Sequence, residues 1–363
     1  MRQVDLVIIG GGPAGLSAAK VAAECGIASI IIERDYKLGG QLVKQTHMFF
    51  GSEKQYAKTR GINIAQILID DCMKYPKLIT IMTDTTVVGL YSDNVVTIVK
   101  EDKYEKIKFK NLIVATGASE KFLAFENNDL PGIYGAGAVQ TLMNVHGVLP
   151  GDKVVMVGSG NIGLIVSYQL IQAGVDVLKV LEAAPTIGGY KVHASKLKRL
   201  GVDILTKHSI KKAIGKETLE KIVYSELDDN WNHIEGTEQE IEVDALCISV
   251  GLSPLSSLLG MMGAKMKYVS KLGGLVPVIN EHHQTSLNNV YVAGDVCGVE
   301  EASSAIVEGY LTGLLVSKQL GKAHENYQVL HDDFVAQLEN LRSGPFGQAT
   351  RDGLKELRDE YVE

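Results

Sequence analysis

Residues 6–15 read LVIIGGGPAG, and residues 154–163 read VVMVGSGNIG. Each stretch is an apolar run that ends in glycines spaced G-x-G-x-x-G and is followed by residues with helical periodicity. In such a strand–turn–helix unit the first glycine permits the tight turn, the second lets a pyrophosphate approach the backbone, and the third lets helix and strand pack closely. The chain of 363 residues therefore predicts two dinucleotide-binding sites.

The first turn has the complete sequence context of such a site. The pattern predicts a strand over residues 4–9, a helix after the glycines and a second strand over residues 28–32 that ends at Glu33. An acid at that point, about 20 residues after the turn, binds ribose hydroxyls. The residues predicted to bind the first nucleotide are Gly10, Gly12, Pro13, Ala14, Gly15, Glu33 and Arg34.

The second turn repeats every part of this pattern. A strand over 153–157 and a helix over 161–173 precede a strand that ends at Glu182. An acid there accepts a hydrogen bond from a free 2′-hydroxyl and repels a 2′-phosphate, so NAD(H) is favoured over NADP(H). The alternative is that Glu182 is only a solvated acid at a strand end. The residues predicted for this site are Gly158, Gly160, Asn161, Ile162, Gly163 and Glu182.

Composition excludes several classes of function. Hydrophobic residues make up 45% of the chain, which is typical of a globular protein, and the net charge of −7 gives no general attraction to nucleic acid or anionic membranes. No stretch approaches the roughly 18 apolar residues of a membrane helix. The first strand begins too close to Met1 for a secretion signal, so we expect a cytoplasmic protein. The four cysteines form no CxxC pair, and the sequence predicts no metal site.

Three further stretches carry a family resemblance: GGQL at 39–42, LIVATGASE at 112–120 and NNVYVAGDVCG at 288–298. With them the chain resembles the two-dinucleotide-binding-domain flavoproteins, and most closely their thioredoxin reductase-like branch. The resemblance implies an α/β fold of two Rossmann-like, three-layer ββα domains, with the NAD domain inserted into the FAD domain. It places the FAD domain at 1–118 and 251–322, the NAD(P) domain at 119–250, and a short helical tail at 323–363.

The same resemblance implies roles for residues outside the two glycine turns. Asp295 hydrogen-bonds a ribityl hydroxyl of the flavin, and a helix beginning near Ser303 points its N-terminus at the flavin's pyrimidine edge. Lys44, Gln45 and His47 follow a turn that the family brings against the flavin ring. His47 is a candidate proton carrier, and a histidine without function is the alternative. The remaining implied cofactor-binding residues are Gly40, Gln41, Ala115, Thr116, Gly117, Gly251 and Gly294.

The chain departs from this family in its thiols. Thioredoxin reductases carry a CxxC dithiol in the nucleotide domain, whereas no cysteine lies between Ala118 and Ala245. The longer branch uses one cysteine near the flavin, and the matching stretch GGQLVKQTHMFFGS contains none. Disulfide reduction of the usual kind is therefore not expected. A redox role for Cys297, which follows Asp295 closely, stays open.

Two local stretches suggest the context in which the chain works. LPGIYGAGAVQTLM at 130–143 and LEAAPTIGG at 181–189 are similar to segments in the larger subunits of sarcosine oxidase, opine oxidase and hydrogen cyanide synthase complexes. This implies an FAD-dependent NAD(H) oxidoreductase within a homo- or hetero-oligomer, passing electrons to an iron–sulfur or second flavoprotein partner. The alternatives are an amine or amino-acid dehydrogenase subunit whose second nucleotide is structural, and a non-catalytic redox-sensing subunit.

Overall fold

A computed structural model describes residues 1–361. The chain forms two compact units. The first consists of residues 1–119 together with the chain from residue 253 onward, and the second consists of residues 120–252.

The first segment of the chain supplies most of a large sheet and two helices. Two short 3₁₀ turns, Gly40–Lys44 and Glu53–Gln55, lie between its second strand and second helix. The elements in order are β1 (Arg2–Ile9), α1 (Pro13–Glu24), β2 (Ser29–Ile32), α2 (Gly61–Met73), β3 (Ile79–Met82), β4 (Thr86–Tyr91), β5 (Val95–Lys100), β6 (Lys103–Val114) and β7 (Ala118–Glu120).

The second unit contains a parallel sheet with helices and a small antiparallel sheet. Its elements are β8 (Ile133–Gly135), α3 (Ala136–His146), β9 (Lys153–Val157), α4 (Asn161–Gln172), β10 (Asp176–Glu182), α5 (Lys191–Arg199), β11 (Asp203–Thr206), β12 (His208–Ile214), β13 (Lys221–Glu226), β14 (Gln239–Glu242) and β15 (Ala245–Ile248).

The chain then completes the first unit and adds the tail. These elements are β16 (Leu252–Pro254), α6 (Ser257–Met262), β17 (Met266–Val269), β18 (Gly274–Pro277), β19 (Val290–Val292), α7 (Ala302–Gln319), α8 (Tyr327–Leu341) and α9 (Gln348–Arg358). Among residues 1–361, no helix is both long and apolar enough to cross a membrane.

Each unit is built on parallel strands. In the first unit the order is β3-β2-β1-β6-β5-β4, with β19 also paired to β6. β19 and β1 to β3 run parallel to β6 or to one another, whereas β4 and β5 form an antiparallel extension. The second unit has the order β11-β10-β9-β15-β8, and β12-β13-β14 form its antiparallel sheet. Helices cover both faces of a parallel sheet, so the strands of such a sheet are continuously apolar. Residues 6–9 of β1, which are all buried, follow this pattern.

Helices α1 and α7 approach closely because the contact is made of small residues. Gly309 and Gly313 of α7 lie against the backbone of Ala14 and Ala18 of α1, and a Cβ at either glycine would collide with those carbonyl oxygens. This packing places α7 against the N-terminal half of α1, next to the first glycine turn.

The C-terminal tail docks on the first unit. Tyr310 of α7 stacks on Phe334 of α8, with ring centroids 5.6 Å apart. On α9, Leu354 and Leu357 are buried in the core cluster that contains Leu272. The two helices predicted on either side of SGPFG are confirmed.

We expect Gly309→Ala to destabilise the protein by about 1–3 kcal/mol, the usual cost of overpacking a core. Gly260→Ala is the matched control, because Gly260 also lies in a helix but its added Cβ meets only Met266 Cγ, at 3.8 Å. That change should stabilise by up to about 1 kcal/mol through helix propensity. Urea unfolding of both variants measures the difference, and equal effects would contradict the close α1–α7 packing.

Candidate functional site

The predicted site residues of the first unit gather at one edge of its sheet. Strands β1, β2, β6 and β19 are parallel neighbours, and their last residues are in register: Ile9 pairs with Ile32 and Val114, and Val114 pairs with Val292. All four carboxyl ends therefore meet at the same edge, where open α/β sheets bind ligands. The segments beginning at Gly10, Glu33, Ala115 and Ala293 leave the sheet at this edge.

The first glycine turn leaves its backbone open to a ligand. Gly10 has a φ of 108°, and a Cβ there would collide with the carbonyl oxygen of Ala115. At Gly12 the nearest atom to an added Cβ is Gly40 Cα, 3.7 Å away. No side chain caps the N-terminus of α1, which begins at Pro13. An uncapped helix N-terminus beside open backbone suits a pyrophosphate, so these residues fit a dinucleotide.

The Glu33 side chain is held in place by two backbone N–H groups. One carboxylate oxygen accepts from the Gly11 N–H at 2.7 Å, and the other accepts from the Asp35 N–H at 2.9 Å. A carboxylate has about four acceptor positions, so roughly two remain for a ribose diol. Glu33 is 9% exposed, whereas its neighbour Arg34 is exposed to solvent.

The second unit reproduces the open glycine turn. Gly158 has a φ of 102° and its Cβ would collide with the carbonyl oxygen of Ser249, while no atom lies within 4 Å of a Cβ added at Gly160. The N-terminus of α4, at Asn161, also lacks a side-chain cap. Ile162 is 39% exposed at this end of the helix. This turn fits a second dinucleotide for the same physical reason as the first.

Glu182 is more fully hydrogen-bonded than Glu33. Its carboxylate accepts from the Ser159 N–H at 2.9 Å, the Ser159 hydroxyl at 2.5 Å and the Ala184 N–H at 2.7 Å. The following segment, AAPTIGGY at 183–190, contains neither arginine nor lysine that could neutralise a 2′-phosphate. The additional donor exists because the second turn has Ser159 where the first has Gly11.

The Asp295 carboxylate has few polar partners in the loop that begins at Gly294. It accepts one long bond, 3.3 Å, from the Glu300 N–H. Burial raises the pKa of Asp295 to about 7, and the nearby carboxylates of Glu308, Glu300 and Glu301 act in the same direction. A carboxyl group with free hydrogen-bonding positions beside the sheet edge fits a ligand hydroxyl.

A buried ion cluster lies behind this loop, and sequence reasoning missed it. Arg342, the residue after α8, forms a forked pair with Glu300 at 2.7 to 3.1 Å and also pairs with Glu308 of α7. Glu308 in turn accepts from the Gly294 N–H at 2.7 Å. The side chains of all three charged residues are at most 10% exposed. Removing one partner of such a buried pair typically costs about 3–5 kcal/mol.

One signal for this cluster was present in the sequence. Glu308 and Lys318 are the two charged residues in ASSAIVEGYLTGLLVSKQ, a helix made mostly of apolar and small residues. A lone acid on a buried helix requires a partner. The partner could not be identified because Arg342 lies far along the chain.

His283 and Cys297 border the same cluster. Donor atoms of His283, Cys297 and Glu308 lie within 4.8 Å of one another, but the Arg342 cation already pairs with Glu308 and would repel a metal ion. We therefore assign no metal to these three residues. Burial raises the pKa of the Cys297 thiol well above its usual range, and that of His283 falls to about 3. Cys297 is 1% exposed and is thus unsuited to act as a thiolate.

The segment that follows the GG turn is partly buried. Lys44, Gln45 and His47 are all intermediate in exposure, and His47 stacks on Phe49 with ring centroids 5.8 Å apart. Gln41 and Gly40 are exposed near the first turn. The roles of His47 and Gln41 toward a flavin remain predictions.

The remaining predicted residues have structural partners. The Thr116 hydroxyl donates to the Leu255 carbonyl at 2.7 Å, and Gly117 has a positive φ of 72°. In the second unit, the Gly251 carbonyl accepts from the Lys121 N–H at 3.0 Å. All four cysteines are free, and three of them, Cys72, Cys247 and Cys297, are buried.

In the ligand-free protein, Asp295 should make the free energy of unfolding decrease as the pH rises from 3.8 to about 7. Between these values the folded protein keeps a proton on Asp295 that the unfolded chain releases, so the folded state binds more protons and stability falls with pH. Asp295→Asn removes this contribution. Urea unfolding at several pH values should show the variant gaining stability relative to the parent as pH rises. A difference independent of pH would contradict this assignment.

A family model described as pyridine nucleotide-disulphide oxidoreductase matches residues 4–309. Proteins of this family bind FAD and a nicotinamide nucleotide, in agreement with two dinucleotide sites. Among solved structures, the chain matches L-proline dehydrogenase from P. horikoshii with a TM-score of 0.69 and 25% identity, over 92% of this chain and 59% of that one. It matches thioredoxin reductase from T. acidophilum with a TM-score of 0.72 and 22% identity, over 88% and 99%. The predicted fold class is confirmed.

Several curated relatives are named as enzyme subunits. Hydrogen cyanide synthase subunit HcnB from Pseudomonas protegens is 27% identical over 88% of this chain and 71% of its own length. An opine oxidase subunit from Agrobacterium tumefaciens is 26% identical over 85% and 64%. The alpha subunit of sarcosine oxidase from Rhizobium meliloti is 26% identical over 87% of this chain but only 31% of its own length. The resemblances drawn from the motifs are confirmed, and the match spans only part of each relative.

Proposed function

We propose that this chain, which belongs to the pyridine nucleotide-disulphide oxidoreductase family, carries electrons between NAD(H) and a second redox centre by way of bound FAD. The main support is the pair of equivalent glycine turns, one in each unit, each with open space at its second glycine. Each turn is followed, at the end of the next strand, by an acid that accepts a hydrogen bond from a backbone N–H of the turn. A protein that needed one nucleotide would not require this arrangement twice.

The residues of the first unit are assigned to FAD. Gly12 and the N-terminus of α1 would hold the pyrophosphate, Glu33 the ribose, and Asp295 a ribityl hydroxyl. The bound cofactors supply hydride transfer between nicotinamide and flavin, and the chain contributes positioning and electrostatics. Gln41 and His47 are proposed near the flavin ring, His47 as a proton carrier.

The residues of the second unit are assigned to NAD(H). Gly160 and the N-terminus of α4 would hold the pyrophosphate, and Glu182 keeps about one acceptor position for a 2′-hydroxyl. Its negative charge, without a cationic side chain in the segment 183–190, disfavours a 2′-phosphate.

We do not propose thiol–disulfide chemistry for this chain. In the described part of the chain, three of the four cysteines are buried and Cys25 is half-buried, and burial raises the pKa of each of them. A thiol that stays protonated and covered does not attack a disulfide.

The electron acceptor is proposed to be a protein partner, an iron–sulfur protein or a second flavoprotein. The curated relatives are named as subunits, and this supports a homo- or hetero-oligomeric assembly. A cofactor carried by a partner would not need a thiol in this chain.

A second candidate function is an amine or amino-acid dehydrogenase subunit in which the nucleotide of the second unit is structural. The likeness to L-proline dehydrogenase over 92% of this chain favours it. In this case electrons enter the flavin from the amine and not from NADH. A third alternative, a redox-sensing subunit, would bind both nucleotides without turnover.

We expect Glu182→Arg to raise kcat/KM for NADPH relative to NADH, because it replaces a repulsive carboxylate by a cation that can pair with a 2′-phosphate. Glu242→Arg, which changes an exposed acid of the same unit, is the matched control. Steady-state kinetics with both nucleotides measures the ratio. An unchanged ratio in Glu182→Arg would refute the placement of the ribose at this residue.

An anaerobic titration of the visible spectrum distinguishes the three functions. The purified protein should be yellow, and NADH should bleach the flavin within seconds and more readily than NADPH. Bleaching by an amine but not by NADH would instead establish the second candidate. A flavin that responds to neither, with both nucleotides still bound, would support the redox-sensing alternative.

A further inference from the structure

We propose that the C-terminal tail is part of the flavin site, with Arg342 as the positioning residue that holds the Asp295 loop in its ligand-binding form. This inference rests on the proposed function, because it assumes that FAD binds at the first unit's sheet edge. It adds a role for residues 323–361 that the cofactor assignment does not require.

Arg342 fixes the loop at both of its ends. The loop begins at Gly294, whose N–H donates to Glu308, and it passes through Asp295 to Glu300. Arg342 pairs with Glu308 and, in a forked arrangement, with Glu300. One guanidinium therefore joins the two acids that bracket the loop, and a planar fork suits this task better than a lysine ammonium.

The loop has other anchors as well: Val296 and Cys297 are buried in the core, and the Val299 N–H donates to the Leu272 carbonyl at 3.1 Å. None of them binds the Asp295 carboxylate or Glu300. Gly294 and Gly298 have φ values of 78° and 154°, which only glycine adopts freely. The Asp295 carboxylate accepts a single long hydrogen bond, from the Glu300 N–H. Without the guanidinium, Glu300 and Glu308 would be two like charges buried side by side, and the loop would have to move to separate or hydrate them.

The tail also contacts the segment that follows the GG turn. Lys54 forms an ion pair with Asp333 of α8, and the Gln55 amide donates to Gln337 of α8 at 2.5 Å. Tyr56 shares a hydrogen bond of 3.0 Å with Tyr310 of α7, which stacks on α8. Helix α8 and Arg342 thus contact both the Asp295 loop and residues 54–56, which lie between β2 and α2. The exposed pair contributes little energy, so the buried guanidinium is the principal link.

The experiment compares FAD binding by the apoprotein of the parent and of Arg342→Met. Fluorescence quenching gives the dissociation constant for FAD, and a redox titration gives the flavin midpoint potential. We expect Arg342→Met to weaken FAD binding at least about tenfold and to lower the midpoint potential, because Glu300 and Glu308 would be left as uncompensated negative charge behind the Asp295 loop and would disfavour a negatively charged reduced flavin. Arg342→Lys, which keeps the charge but loses the fork, should lie between Arg342→Met and the parent.

Two further variants separate positioning from general stability. Lys271→Met breaks the exposed ion pair between Lys271 and Asp352 of the tail. It should leave both FAD binding and the midpoint potential unchanged. Arg342→Met combined with Glu308→Gln removes one unpaired acid while keeping an acceptor for Gly294, and it should recover part of the FAD affinity.

The outcomes are distinct. If Arg342→Met lowers the unfolding temperature but leaves the FAD dissociation constant and the potential unchanged, the tail is only a structural element and the inference is overturned. If Arg342→Met does not fold, Arg342→Lys decides by the same two measurements. If the parent itself binds no FAD, the proposed function fails first and this inference fails with it.

Discussion

Both nucleotide sites depend on a backbone approach that leaves no room for a side chain. At the first glycine of each turn, the chain passes so close to the next strand of the sheet that a Cβ would collide with a carbonyl oxygen, that of Ala115 in one unit and that of Ser249 in the other. Because of this close approach, the chain passes from strand to helix within a few residues, and the uncapped helix N-terminus lies at the sheet edge. The rest of each site is arranged around that helix end.

The acid at the end of the second strand depends on the same turn. Glu33 and Glu182 each accept from the backbone N–H of the residue after the first glycine, and each is also bound by an N–H two residues further along its own chain. One side-chain difference separates the two sites. The hydroxyl of Ser159 takes a further acceptor position on Glu182, whereas Gly11 leaves that position free on Glu33. The two turns therefore share one backbone arrangement, but Glu33 keeps more free acceptor positions than Glu182.

The first unit adds a feature without counterpart among the described residues of the second: buried charge behind the loop that carries Asp295. Glu300, Glu308 and Arg342 form a compact cluster beneath Asp295. Burying charges is costly, so pairing and hydrogen bonding must hold them in one geometry. The cluster links a small loop to the C-terminal tail, and the tail's two helices are in turn secured by apolar packing on α7 and on Leu272.

Local spacing and periodicity were enough to predict the two glycine turns, the strands and helices around them, the acids at the strand ends and the helical tail. The sequence also showed that the four cysteines form no CxxC pair. The folded structure was needed to identify the partner of Glu308, the donors that bind Glu182 and the position of the tail. Arg342 meets Glu300 and Glu308 across more than thirty residues of chain, and Ser159 meets Glu182 across a whole helix. Pairings of this kind depend on how helices pack on a sheet, which no local pattern specifies.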